Sequence, residues 1–150
     1  MSSYRTHTCG ALTENMTDKE VTLSGWIYRR RDHGGVVFID LRDHYGMTQI
    51  VIHPESGLIE DINKLALESV IKVTGTVLLR EEAQRNANLP TGDIEVDVKA
   101  LEVLSKVDKL PWALEDYSIP EELRLKYRMM DLRREGMQKN LKLRSDVIAF

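Results

Sequence analysis

Cysteine is nearly absent from this chain of 150 residues, Cys9 being the only one. An intrachain disulfide is thereby excluded, and a cysteine-based zinc site is disfavoured, in keeping with a reducing compartment. Cys9 itself reads as a small buried residue rather than a reactive thiol. Long apolar runs are also missing. None reaches the roughly 18 residues of a membrane span, and the opening MSSYRTHTCG lacks the apolar centre of a signal peptide, so the expected location is cytoplasmic with no membrane partner. A large excess of either charge is lacking too. With 21 Lys and Arg against 24 Asp and Glu the net charge is −3, so a nucleic-acid partner would have to be met by a local cluster of cations, not by the global field. Catalytic signatures are equally scarce. His7, His33, His44 and His53 share no metal-ligand spacing with a carboxylate cluster, and there is no glycine-rich phosphate loop and no Ser/His/Asp or Cys/His arrangement. The residues outline no active site, no metal site and no cofactor site.

What the chain does have is alternation. From Glu20 to Val103 apolar and polar residues exchange places over five short runs, the period-two pattern of half-buried strands. Val21 and Leu23 share a face in the first run, Val37, Ile39 and Leu41 in the second, and Ile50 and Ile52 in the third. Ile71, Val73, Val77 and Leu79 align in the fourth, and Ile94, Val96 and Val98 in the fifth. The cluster DHYG, Asp43 to Gly46, predicts a tight turn between the second and third. Between the third and fourth, Leu58, Ile62, Leu65 and Ala66 recur at helical spacing in GLIEDINKLALES. The order β-β-β-α-β-β predicts an all-β protein, a five-stranded OB-fold Greek-key barrel with one helix between strands 3 and 4, a fold whose strand 2–3 face commonly binds oligonucleotides. Alternation stops after Lys106. Residues 1–106 are read as the barrel domain, 107–120 as a linker containing Pro111 and Pro120, and 121–150 as a helical stub. In the stub Ser118 is the expected helix cap, Leu125, Met129 and Leu132 form the expected apolar stripe, and Gly136 is the expected break before a second stripe of Met137, Leu141 and Ile148. That second stripe is unfinished at Phe150, which suggests a piece of a longer polypeptide.

The candidate site lies in YRRRDHGGVVFIDLRD, Tyr28 to Asp43. If Val37, Ile39 and Leu41 face the core, Phe38 faces outward beside Asp40 and Arg42. An outward ring suits stacking on an unpaired base; a loop cover is the plainer alternative. Gln49 shares that outer parity, and its amide offers a donor and an acceptor side by side for a base edge. Glu95 faces outward on the fifth run and can accept from base amino or imino groups. Arg29, Arg30 and Arg31 supply phosphate contacts or merely a solvated edge. Strict parity from Val21 would bury Arg29 and Arg31, so a bulge at Gly25 is expected to turn them outward. Gly34 and Gly35 leave the first loop free to approach a ligand. His33 is a base contact or an ordinary loop histidine, and Arg80 and Arg85 extend the basic track.

RTHTCGAL, GWIYRRRDHGGVVFIDLRDHYGMTQIVI, VTGTV, TGDIEV and LRLKYRMMDLRR, in that order, closely resemble the amino-terminal part of bacterial-type aspartyl-tRNA synthetases, over essentially the whole chain. The resemblance implies that this part grips the tRNA anticodon loop. It implies that Phe38 stacks on the central uracil, that Gln49 reads its edge, and that Glu95, Arg31 and Arg29 contact flanking bases and backbone. Members often carry a basic residue two positions before Arg80, where this chain departs from the pattern with Leu78. Histidine at the position of His33 accompanies forms that also charge asparagine tRNA. LKYRMMDLRREGMQKNLKLRSDVIAF resembles the entry into a class II catalytic domain and its dimer-interface helix. The implied parent is a homodimeric ligase using ATP and magnesium, whereas these 150 residues alone would be inactive and monomeric, with no cofactor. Two other readings of the barrel stay open: a sequence-tolerant binder of single-stranded nucleic acid, and a protein-interaction module.

Overall fold

A computed structural model describes residues 4–149. Five strands, β1 (Glu20–His33), β2 (Val36–Arg42), β3 (Met47–Ile52), β4 (Val70–Leu79) and β5 (Ile94–Ser105), close into a barrel in the order β1-β2-β3-β5-β4. All neighbours are antiparallel except β3 with β5, and β4 pairs back onto β1 to remove both sheet edges. This is the OB-fold Greek key that the alternation predicts. The inward residues of each strand meet in one cluster that includes Leu23, Ile27, Ile39, Leu41, Ile50, Ile71, Val73 and Val96, all buried. Leu79 departs from the expected set. It is the last residue of β4 and lies 47% exposed, although Ile94 opposite it on β5 is buried.

The bulge that frees the arginines exists, but not at Gly25. Ile27 stands opposite Leu41 and Arg29 opposite Asp40, so Tyr28 is the extra residue. Gly25 pairs regularly with Ile71; a Cβ there would lie 2.4 Å from the Arg42 carbonyl oxygen, so glycine is needed for close strand approach. The Tyr28 ring is flanked by two guanidiniums, Arg42 at 4.8 Å and Arg29 at 5.2 Å from its centre. Gly34 and Gly35 form a two-residue hairpin turn, both with positive φ (63° and 90°), as such turns require. The Asp43 carboxylate organises the next turn, accepting from the Tyr45 and Gly46 amides at 2.7 and 2.9 Å.

The same carboxylate ties the amino-terminal segment down, accepting from the Cys9 amide at 2.9 Å and from Arg5 at 3.0 Å. Cys9 is completely buried, and burial, followed by the Asp43 charge, raises its thiol above the ordinary value. The folded protein is therefore expected to resist alkylation by iodoacetamide at about pH 8, reacting fully only in denaturant. Because the folded thiol holds its proton more tightly than the unfolded one, the linked stability is complete below the unfolded thiol's pKa and is lost as pH rises beyond it. Rapid labelling of the native chain would contradict this placement.

Helix α1 (Ile59–Asn63) is shorter than the predicted segment, with Ile62 and Leu65 buried beneath the barrel wall. Arg30 shares inward parity with Ile39 and sits at the barrel rim. There it donates to the Ile62 and Leu65 carbonyls at 2.8 and 3.0 Å, closing the carboxyl end of α1. It is a structural cap and not one of the outer cations.

The chain divides into two compact units, Met1–Asp108 and Lys109–Phe150. In the second, α2 (Glu121–Lys126), α3 (Arg128–Asp131) and α4 (Glu135–Ala149) follow one another. Trp112 and Leu114, from the stretch read as linker, are buried with Met130, and Trp112 meets Tyr127 edge to face. Pro120, not Ser118, precedes α2; Ser118 instead bonds Asp116. Leu125 and Met129 are exposed, because Tyr127 at φ −110°, ψ 50° interrupts the helix and shifts its phase to bury Met130. Gly136 lies within α4; the interruption comes at residues 132–134. No described helix is long and apolar enough to cross a membrane.

Candidate nucleic-acid interface

The Tyr28 bulge fixes which outer side chains become neighbours. On β1, β2 and β3 it aligns Arg29, Asp40 and Gln49 in one row across the strands, and Arg31, Phe38 and Val51 in the next. The parallel β3–β5 pairing carries the second row to Asp97. Antiparallel β4 then sets Leu78 opposite Glu95 and Thr76 opposite Asp97. Arg31 is therefore outward, as expected, although the cause lies later in the strand than Gly25.

Side-chain bonds run across these rows. Asp40 accepts from Arg31 at 2.9 Å, and the same Arg31 nitrogen donates to the Gln49 Oε1 at 3.1 Å. The Gln49 Nε2 donates to Glu95 at 3.0 Å, and Arg80 stands 3.7 Å from the same Glu95 oxygen. The result is a continuous chain, Asp40–Arg31–Gln49–Glu95–Arg80, spanning four strands and the segment just after β4. Gln49 is 8% exposed, so its amide is set by partners on either side: oxygen toward Arg31, nitrogen toward Glu95. Each end of that amide retains capacity for one further bond, on an adjacent donor and acceptor.

Phe38 lies outside the core cluster, half-buried, between Arg31 and Val51. His33, exposed at the end of β1, approaches it edge to face at 5.9 Å. The ring is thus half-buried on the sheet with an aromatic neighbour at its side, a setting compatible with a stacking platform.

Arg80 is not the exposed cation expected. It is 5% exposed, donates through Nε to the Ile94 carbonyl at 2.9 Å and lies against Glu95. Burial lowers its pKa, an effect the Glu95 charge opposes. Its Nη2 is buried with no hydrogen-bond partner among the described residues. Its position suits holding Glu95 more than extending a surface track. Arg85, in the β4–β5 loop, sits among carboxylates, 3.8 Å from Glu14 and 3.9 Å from Asp93. Leu78, in place of a second cation, is half-buried on the outer face opposite Glu95.

Sequence reasoning misses two features. Asp40 has the parity of Phe38, and that is its only visible signal; its bond to Arg31 depends on the displaced register. The second is the ion pair of Arg42 with Glu68, in which one guanidinium nitrogen, Nη2, donates to both carboxylate oxygens at 2.9 and 3.1 Å and steadies the guanidinium against the Tyr28 ring.

Comparison with known proteins bears on the fold and the family. The model of the tRNA anti-codon family, described as an OB-fold nucleic acid binding domain, matches residues 21–104. The chain is 56% identical over 151 aligned residues to the aspartate–tRNA(Asp/Asn) ligase of a Caulobacter species, covering 99% of this chain and 24% of that ligase. It is likewise 56% identical to the Gluconobacter oxydans aspartate–tRNA(Asp/Asn) ligase, covering 25% of it. Among solved structures, asparaginyl-tRNA synthetase from Pyrococcus horikoshii superposes with a TM-score of 0.83 at 28% identity, over 95% of this chain and 33% of that one. The chain therefore spans about a quarter of the length of the ligases it matches.

Proposed function

This chain belongs to the OB-fold nucleic acid binding domain family, and from that membership we propose that its outer β1-β2-β3-β5 face reads the anticodon loop of aspartate tRNA as part of an aspartate–tRNA ligase. The observation that carries the reading is the pairing of a supported, half-buried Phe38 with the bonded chain Arg31–Gln49–Glu95 beside it. A ring supplies a surface for any base, while a fixed amide and carboxylate discriminate between base edges. In this reading Phe38 stacks on the central base, Gln49, oriented by Arg31, bonds its edge, Glu95, held by Arg80, meets a flanking base, and Arg29 meets the backbone. His33 stands at the rim of the platform. That position, with the Asp/Asn names of the two ligases, supports acceptance of asparagine tRNA as well.

The same proposal assigns residues 121–150 to the beginning of a class II catalytic domain, joined to the barrel through 107–120. The complete ligase would act as a cytoplasmic homodimer, activating aspartate with ATP and magnesium in parts outside these residues.

The test is binding of this chain to aspartate and asparagine anticodon stem-loops and to a stem-loop with the triplet permuted, each at about 50 and 200 mM salt. The aspartate loop is expected to bind at least about tenfold more tightly than the permuted one. With one or two phosphates neutralised, affinity is expected to fall roughly three- to sevenfold over that salt range, a slope near −0.7 per phosphate. Equal affinity for all triplets would point to a sequence-tolerant binder. Absence of RNA binding at low salt would point to a protein-interaction module.

A further inference from the structure

We infer that Asp40 is a positioning residue for triplet discrimination, acting through Arg31 on Gln49; this rests on the anticodon-reading function proposed above. A carboxylate on a surface that meets phosphates repels them, so its presence asks for another role. Asp40 is 9% exposed and stands directly between Arg29 on β1 and Gln49 on β3. Its Oδ1 accepts from Arg31 Nη2 at 2.9 Å, and that one nitrogen also donates to Gln49 Oε1 at 3.1 Å.

Arg31 is long, and its side chain is half exposed. Without an anchor it would gain rotamer freedom by extending into solvent, toward phosphate. The charge-assisted bond to Asp40 draws the guanidinium down across the sheet instead. There it fixes Gln49 with its oxygen on the β1 side and its nitrogen on the Glu95 side. A free glutamine amide presents its donor and acceptor in either order. Asp40, through Arg31, works with Glu95 to remove one of the two orders, and with it the ability to pair equally well with opposite base edges. The residue therefore exchanges general attraction for RNA against selectivity among triplets.

The experiment measures affinities of the full chain for the aspartate stem-loop and the permuted stem-loop in four variants: Asp40→Ala, Asp40→Asn, Gln49→Ala and the double Asp40→Ala/Gln49→Ala. In Asp40→Ala the ratio between the two RNAs is expected to fall about tenfold, with permuted-loop binding unchanged or stronger because a negative charge is gone. Asp40→Asn keeps the acceptor oxygen and is expected to recover part of the ratio, leaving about a threefold loss. Adding Gln49→Ala to Asp40→Ala is expected to lower the ratio little further, since both act on the same amide. Equal weakening toward both RNAs, or an intact ratio in Asp40→Ala, would overturn the inference. If the alanine variant does not fold, the asparagine variant decides alone: a threefold loss of ratio supports the inference, and no loss or loss of folding overturns it. A wild-type chain that does not distinguish the two RNAs would instead sink the anticodon-reading function itself.

Discussion

Replacing Asp131 by alanine is expected to destabilise the Lys109–Phe150 unit by about 3–5 kcal/mol, the usual effect of removing one partner from a buried ion pair. Asp131 is fully buried at the end of α3 and is approached by three arginines: Arg128, Arg134 at 3.5 Å and Arg124 at 3.8 Å. Two of these retain contact with water, but Arg134 does not. Its side chain is 5% exposed, donating to the carbonyls of Leu114 and Asp116 and lying 4.6 Å from the Tyr117 ring centre. Without the carboxylate a buried cation keeps carbonyl dipoles and a ring face but loses its counter-charge. The unit has a small apolar cluster with which to absorb that loss: Trp112, Leu114 and Met130 are its buried members among the described residues, with Leu110, Ile119, Leu123 and Tyr127 partly buried against them. Hydrogen exchange is the measurement. Amides of Met130, Leu132, Arg134 and Gln138, which bond along this segment, should lose protection in the variant. Unchanged protection would show that the arginines are adequately solvated without Asp131.

The parts of this molecule that are legible in its sequence are those governed by local periodicity. Val37, Ile39 and Leu41 alternate strictly, so their burial and the outward parity of Phe38 and Gln49 follow from two-residue spacing alone. The bulge is inferable in kind and not in place. Arginines could not continue inward, yet the visible glycine, Gly25, draws attention from Tyr28, whose ring is steadied by Arg42 from the neighbouring strand. Arg80 and Arg30 show the same limit. Each is a cation whose setting depends on a carbonyl far along the chain, Ile94 for one and Ile62 for the other. In the second unit a single residue, Tyr127, displaces the helical phase, so a stripe built on Met129 gives way to one built on Met130. Asp40 is silent in the sequence because its significance lies in a diagonal neighbour, and diagonals are set by register, not by spacing.

Phe38→Ala is expected to weaken binding of the aspartate stem-loop by about 1–3 kcal/mol, or roughly five- to 150-fold, the range typical of truncating an aromatic base platform. The fold should tolerate the change to within about 1 kcal/mol, because the ring lies outside the barrel core, among Arg31, Val51 and the edge of His33. The informative feature is the salt dependence. Stacking neutralises no phosphate and releases no counterion, so the variant's affinity should lie below that of the parent by a constant factor at every salt concentration. On a logarithmic plot the two lines should be parallel. Removing Arg29 should instead flatten the line by about 0.7 for each phosphate no longer neutralised. A change of slope in Phe38→Ala would mean that the ring serves to place the neighbouring cations. Unfolding of the variant would mean that the ring is part of the core. Parallel displacement would separate the two contributions on this face, with the base held by the ring and the backbone by charge.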